Sequence, residues 1–537
     1  MTEVKKPKRT LASIATIVAV ATLISKVFGL VRQQAIAAAF GVGPAFDAYT
    51  YAYVIPGFLL ILLGGINGPF HSAIVSVLAK RKPEEAAPLV ETITTFVGGI
   101  LLLVTIGLII FANPLIDVVA PGLTTTPEGE VIRAIAIQQF RIMAPMALLA
   151  GLIGIGFGTL SSADQYWLPS ISPLFSSVTV IVGIGILVLQ FGRDIIQPQY
   201  ALMGGLVLAW GTLAGAILQW LVQVVAQWKS GLGTLRLRFD FNQPAVKEVM
   251  NIMGPATFSS GMMQINVYTD LFFASFIPQT ASALGYAGLL VQTPLGILSN
   301  MLLVPLLPVF SRLATPNHWP ELKGRIRQGI ILTALTMLPL GALIIALAVP
   351  IVRVVYERGA FDPEASQFVA PMLMAYGVGM FVYLGRDVLV RVFYALGDGQ
   401  TPFRISVANI ILNAVLDFLL INTFGAPGLV LATVGVNFVS MIALLMILHR
   451  RMNGLPLREW TGPIVSLTAA SFVAGVVSWG LLQVCEYFWG TEGFFIQLSE
   501  LTLSGIIGLG VFALIAAQLK LPEVDVFVGR VRQKFGR

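Results

Sequence analysis

Long apolar runs, each closed by a short polar connection, recur along the whole chain. A helix needs about 20 mostly apolar residues to cross the hydrocarbon core of a bilayer. About fourteen windows meet that requirement. They lie near residues 11–38, 47–79, 88–113, 131–160, 168–191, 199–228, 245–277, 281–311, 325–356, 366–396, 402–422, 427–449, 461–485 and 498–519. Several exceed a perpendicular crossing, which predicts tilt or kinks. Pro56, Pro145, Pro255, Pro294 and Pro305 are the kink candidates. The first window is not read as a cleaved signal, because Lys26 and Arg32 interrupt it and no small-residue cleavage pattern follows.

Composition agrees with the pattern. Of the residues, 56% are hydrophobic and 11% charged, against about 25% charged in soluble domains. The predicted class is an all-α polytopic membrane protein. Basic residues gather in every second connection: Lys5, Lys6, Lys8 and Arg9; Lys80, Arg81 and Lys82; Lys229, Arg236 and Arg238; Lys323, Arg325 and Arg327; Arg450, Arg451 and Arg458. Arg530, Arg532, Lys534 and Arg537 follow in the tail. Alternate connections are short or mildly acidic, as at Glu128 with Glu130 and Glu486 with Glu492, and the one holding Arg353 and Arg358 fits least well. The positive-inside rule then predicts that both termini are cytoplasmic. It also accounts for most of the net charge of +7, so nucleic acid is not the expected partner. One cysteine, Cys485, excludes an internal disulfide framework and a Cys-rich metal site. The three histidines have no metal-ligand spacing, and no Ser/His/Asp set or nucleotide motif suggests an enzyme.

A weak internal repeat organises the windows. FGTLSSADQYWLPSIS from Phe157 and FYALGDGQTPFRISV from Phe393 share an aromatic, a Leu three residues on, a Gly/Ser/Asp-rich turn and a Pro. Their offset of 236 residues spans six predicted helices. This predicts two pseudo-symmetric six-helix lobes, 1–230 and 231–453, with two further helices and a basic tail over 454–537. Such parallel repeats suit a two-lobed transporter with its site between the lobes. The alternative is that tight turns attract Gly, Asp and Pro regardless of ancestry.

Ionisable groups inside the windows carry the candidate chemistry, since each costs about 2.5–3.5 kcal/mol at bilayer depth even on the gentlest scale. Asn413 and Asp417 share a helix face by their i,i+4 spacing. With Asp270 and the Thr433 hydroxyl they offer hard oxygen ligands suited to Na⁺ or a proton. The alternative is that each bonds only to a neighbouring helix. Lys26 and Arg32 suit phosphate or pyrophosphate, or Arg32 pairs with Asp47 to hold two helices together. Arg386, Asp387 and Arg391 form a third cluster. Arg141 and Arg391 are expected to snorkel, and His71 to be a hydrogen-bonded helix residue. The glycine-rich run 64–69 lacks a phosphate-loop ending and reads as a bend.

At these residues the chain resembles the MurJ/MviN lipid II flippases of the multidrug, oligosaccharidyl-lipid and polysaccharide exporter superfamily. The carriers are SKVFGLVRQQAIAAAFGVGPAFDAY, TDLFFASF with ALGYAGLLVQTPLGIL, VYERGAFD and VFYALGDGQTPFRISVANIILN. The resemblance implies fourteen helices, alternating access and an undecaprenyl-pyrophosphate-linked glycopeptide as cargo, moved across a bacterial inner membrane. It implies substrate contacts at Lys26, Arg32 and Asp47, to which Arg386 is added, and no cofactor beyond a possible Na⁺. Asp270, Asn413, Asp417 and Thr433 match the family's sodium site, with Leu429 offering a backbone carbonyl. Lys26 stands where the family has Arg, Gln33 where it has an acid, and Leu60 and Leu289 fall in regions where it carries further arginines. Those departures keep two alternatives open: an exporter of another polyprenyl-linked glycan or an amphipathic drug, and a non-transporting scaffold. The chain is expected to act as a monomer.

Overall fold

The computed structural model describes residues 11–65, 68–78, 80–81, 83–262 and 265–524, which form helices and short connections without a β-strand. Lys5, Lys6, Lys8, Arg9, Lys82, Arg530, Arg532, Lys534 and Arg537 lie outside the described residues. Thirteen helices among the described residues are long and apolar enough to cross a membrane. The remaining expected window, 245–277, holds two helices on either side of 263–264, which are not described. All-helical architecture follows from the solvent. Backbone N–H and C=O groups in hydrocarbon must be satisfied within their own segment.

The chain forms two compact units, Met1–Ser282 with Arg358–Phe361, and Ala283–Glu357 with Asp362–Arg537. The first begins with α1 (Leu11–Phe40), α2 (Pro44–Gly64), α3 (Pro69–Leu78), α4 (Pro83–Ile110) and α5 (Ala112–Val119). It continues with α6 (Pro127–Met143), α7 (Met146–Ser162), α8 (Trp167–Ile171), α9 (Leu174–Phe191), α10 (Ala201–Lys229), α11 (Pro244–Met262) and α12 (Ile265–Ala274), and holds the first turn of α13 (Thr280–Arg312). Helix α2 ends at the expected bend, where Gly65 is extended (φ −76°, ψ 148°). Pro145 separates α6 from α7, whereas Pro56, Pro294 and Pro305 sit inside continuous helices. Leu63, Phe70, Ile74, Val77, Ile93 and Val249 form a buried cluster that packs α2, α3, α4 and α11 together. Small residues permit this closeness: a Cβ on Gly154 of α7 would collide with the Leu63 carbonyl.

The second unit contains the rest of α13, α14 (Trp319–Ala346), α15 (Ala348–Tyr356), α16 (Pro363–Ala395), α17 (Gln400–Phe424), α18 (Ala426–Arg451), α19 (Leu457–Trp489) and α20 (Phe494–Gln518). Ile331, Ala334, Leu467, Ala470, Ala474 and Phe512 join α14, α19 and α20 in one apolar cluster. Arg327 donates to Glu523 at 2.5 Å, fastening the end of the described chain to α14. The buried positions of α17 are Pro402, Asn409, Asn413 and Asp417. A helix that turns its polar stripe inward and its apolar face outward is built for lipid outside and polar chemistry inside.

The two repeat turns close alike. Gln165 N–H donates to the Leu160 carbonyl and Asp398 N–H to that of Phe393, both at 2.9 Å. These six-to-one bonds cap a left-handed residue, Asp164 (φ 58°) in one turn and Gly397 (φ 74°) in the other. In the sequence alignment of the repeat the capped positions fall three residues apart, so one helix ends a turn earlier than its counterpart.

Candidate functional site

In the first unit, Lys26 and Arg32 lie on α1, Lys26 exposed and Arg32 half-buried. The Arg32 Nε–H is buried and has no protein acceptor among the described residues. Its charge is close enough to act on the phenols of Tyr49 and Tyr53 on α2. Those two rings stack at 5.4 Å, and the Tyr49 hydroxyl bonds Thr212 Oγ1 at 2.8 Å.

Asp47 does not pair with Arg32, contrary to one reading of the sequence. Its side chain is 2% exposed, and Oδ1 accepts from the Ser282 N–H at 2.9 Å. Ser282 lies in the first turn of α13, where the N–H groups have no intrahelical acceptor and the helix dipole favours an anion. Asp47 therefore acts as an N-terminal cap supplied by another helix.

The GAFD turn docks onto the same region. Ala360 N–H donates to the Ala38 carbonyl at 2.8 Å. Gly359 has φ +62° and Gly41 φ +54°, and a Cβ on either would strike the carbonyl oxygen of Ala38 or Ala360. Both glycines are thus required by geometry rather than by a ligand.

In the second unit, Arg386 is tied to its neighbours. Nε donates to Ser440 Oγ at 3.2 Å and Nη2 to Ser406 Oγ at 3.4 Å, and Nη1 lies 3.7 Å from Asp387 Oδ1. It links α16 to α17 and α18. Arg391 Nη1 donates to the Leu303 carbonyl at 3.2 Å. Arg141 of the first unit likewise donates, to Asn113 Oδ1 at 3.0 Å. His71 is a hydrogen-bonded helix residue, 3.2 Å from Ser161 Oγ.

The polar stripe of α17 brings two expected cation ligands together. Asn413 Nδ2 donates to Asp417 Oδ2 at 2.9 Å, with the side chains 1% and 0% exposed. Helix α18 packs along α17 and carries Leu429, buried, and Thr433, half-buried. The Thr433 carbonyl accepts from Asn437 Nδ2 at 2.7 Å. Asp270, half-buried on α12, belongs to the first unit. The donors within the second unit are hard oxygens in a buried setting, which fits a small hard cation.

The sequence reading passed over several polar groups of the first unit. Gln219, Gln223 and Gln227 form a buried i,i+4,i+8 row on α10, legible from their spacing. Gln223 donates to Ser172 Oγ at 3.2 Å. Glu91 of α4 is 5% exposed. It accepts from Thr234 N at 2.9 Å, Thr234 Oγ1 at 2.6 Å and Arg238 Nε at 2.6 Å. Nothing in the local sequence marks that partnership.

Residues 36–499 match the family profile described as lipid II flippase MurJ. The chain belongs to the MurJ family. It is 60% identical over 533 residues to the probable lipid II flippase MurJ of Synechocystis sp., covering 99% of both chains. The lipid II flippase MurJ of Burkholderia cenocepacia is 29% identical, over 85% of this chain and 88% of its own. Among solved structures, a lipid II flippase MurJ in an inward closed conformation superposes with a TM-score of 0.73 at 21% identity, covering 94% of this chain and 98% of that one. An inward-facing multidrug transporter of the MATE family gives a TM-score of 0.59 at 17% identity over 82% of this chain. These likenesses establish the MurJ-type membrane fold.

Proposed function

We propose that the chain flips lipid II, a polyprenyl-pyrophosphate-linked peptidoglycan precursor, from the cytoplasmic to the outer leaflet of a bacterial inner membrane. It does so by alternating access, as a monomer with both termini in the cytoplasm. The observation that carries this reading is the 60% identity to a probable lipid II flippase across 99% of both chains. The task is transport, with no bond made or broken. Arg32, helped by Lys26, attracts the pyrophosphate; its buried Nε–H lacks a protein acceptor among the described residues, and a phosphate oxygen supplies one. Asp47 fixes the start of α13, and Arg386 is proposed as a further substrate contact. The test is leaflet translocation of labelled lipid II in vesicles holding the full chain. The expected result is exchange well above protein-free vesicles, abolished by Arg32→Ala. Exchange at the protein-free rate overturns the reading.

Asp270, Asn413, Asp417, the Leu429 carbonyl and the Thr433 hydroxyl are proposed to bind Na⁺. Binding there shifts the lobes between states in proportion to its difference in affinity between them. Repeating the assay with and without a sodium gradient separates the two claims. Translocation indifferent to sodium removes the coupling and leaves the cargo assignment standing. One observation favours a different cargo, another polyprenyl-linked glycan: Leu60 and Leu289 are apolar where the resemblance calls for arginine. Failure to complement a strain lacking its lipid II flippase, with correct membrane insertion, would support that second reading.

A further inference from the structure

The connection from α10 to α11 has an unusual surface. Its residues 232–241 form no helix. Leu235, Leu237 and Phe239 alternate along it and are 56%, 70% and 70% exposed, and Trp228 just before it is 67% exposed. In water such a row would be an aggregation hazard.

The way the segment is fastened places this row. The Glu91 carboxylate holds Thr234 and Arg238, and Thr95 Oγ1, one turn further along α4, accepts from the Arg238 N–H at 3.1 Å. Gly233 lies against Ala87 and Val90, and the Phe241 ring meets Phe96 at 5.1 Å. The segment therefore climbs along the opening turns of Glu85–Ile110, a helix long and apolar enough to cross the membrane. Its exposed side chains flank the start of that helix.

Charge completes the pattern. Lys80 and Arg81 are engaged by Glu248, and Arg238 by Glu91. Lys229 and Arg236 are exposed and join no ion pair among the described residues. Asp240, the acid of the segment, is held by Gln243 at 2.5 Å. Apolar side chains interleaved with uncommitted cations and a tryptophan form the signature of a surface seated in lipid headgroups.

We infer that residues 228–239 form an interfacial wedge that binds anionic phospholipid, with Leu235, Leu237 and Phe239 in the acyl boundary and Lys229 and Arg236 on the phosphates. Glu91 is the clamp that keeps the wedge at that depth. The inference is independent of the cargo.

The test uses the full chain carrying Cys485→Ala and Leu237→Cys, with a polarity-sensitive fluorophore on the new thiol. It is reconstituted in vesicles of phosphatidylcholine with or without phosphatidylglycerol, and a Gln199→Cys label serves as the aqueous control. The expected result is blue-shifted emission, quenched by lipids brominated near the glycerol and not by iodide. Phosphatidylglycerol enrichment around the label should fall about fivefold for each of Lys229→Gln and Arg236→Gln, the usual value of one basic residue near an anionic surface. Iodide quenching equal to the control overturns the inference. So does a label shielded from both quenchers, which means that a protein covers the segment, or a lipid preference unchanged in the double variant.

Discussion

Removing the Asp47 carboxylate should loosen the first turn of α13 and leave the energetics of Arg32 almost untouched. The magnitude follows from the geometry. Asp47 is 2% exposed and its Oδ1 receives the Ser282 N–H at 2.9 Å. A hydrogen bond to a charged group contributes about 1.5–3 kcal/mol, and an anion at a buried helix N-terminus up to about 2 kcal/mol. The two overlap, so Asp47→Ala should cost about 2–4 kcal/mol. Asp47→Asn keeps an acceptor oxygen and loses the charge, and should cost about 1–2 kcal/mol. The assay is reversible unfolding of the purified full-length protein in mixed micelles, run as a double-mutant cycle with Arg32→Ala. Because Asp47 serves α13, its coupling to Arg32 should stay within about 0.5 kcal/mol. A coupling above about 1 kcal/mol, or an Asn variant as stable as wild type, would refute this account and restore the direct pair.

Gly359→Ala forces a left-handed residue to carry a Cβ that meets the Ala38 carbonyl; it should destabilise the turn by at least about 1–2 kcal/mol, read as faster tryptic cleavage at Arg358 in micelles. Burial would raise the Asp398 carboxyl, but hydrogen bonds from Thr401 and the Arg451 guanidinium outweigh it and hold the group below the usual carboxylate range. Its stabilising contribution is therefore complete above about pH 4 and lost as the pH falls through the lowered folded value. Acid unfolding curves of Asp398→Asn should lack that component. Asp417→Asn conserves the bond with Asn413 while removing a charge, so the variant should fold normally and lose any sodium dependence of translocation, measured in the same vesicles.

The spans were legible because lipid leaves the backbone few options. Apolar runs of sufficient length become helices, with the bilayer as their common solvent. What the hydropathy pattern does not carry is a break of one or two residues. Window 131–160 is two helices, interrupted at Ala144 and Pro145, and window 325–356 is likewise two, interrupted at Leu347. A single residue leaving helical geometry barely changes the mean hydropathy of its window. The repeat turns show the same limit: Phe, Leu and Pro align at one offset, yet the left-handed positions Asp164 and Gly397 obey another, because a cap is set by backbone conformation and several side chains tolerate it.

Side-chain partners were legible only when a single helix fixed them. The Asn413–Asp417 bond follows from an i,i+4 spacing, which any α-helix converts into adjacency. Asp47 finds its acceptor role 235 positions away, and Arg386 is satisfied by serines 20 and 54 positions along the chain. No local pattern encodes such distances. Proximity in sequence offered Arg32 as one partner for Asp47, but the start of α13 supplies the donor to Asp47. The Arg32 Nε–H is left without a protein acceptor among the described residues. A cation held half-buried beside tyrosines is costly, and an anion bound there would offset that cost. Under the proposed function, Arg32 rather than the hydrogen-bonded Arg386 is the residue whose charge would favour cargo binding over the empty state.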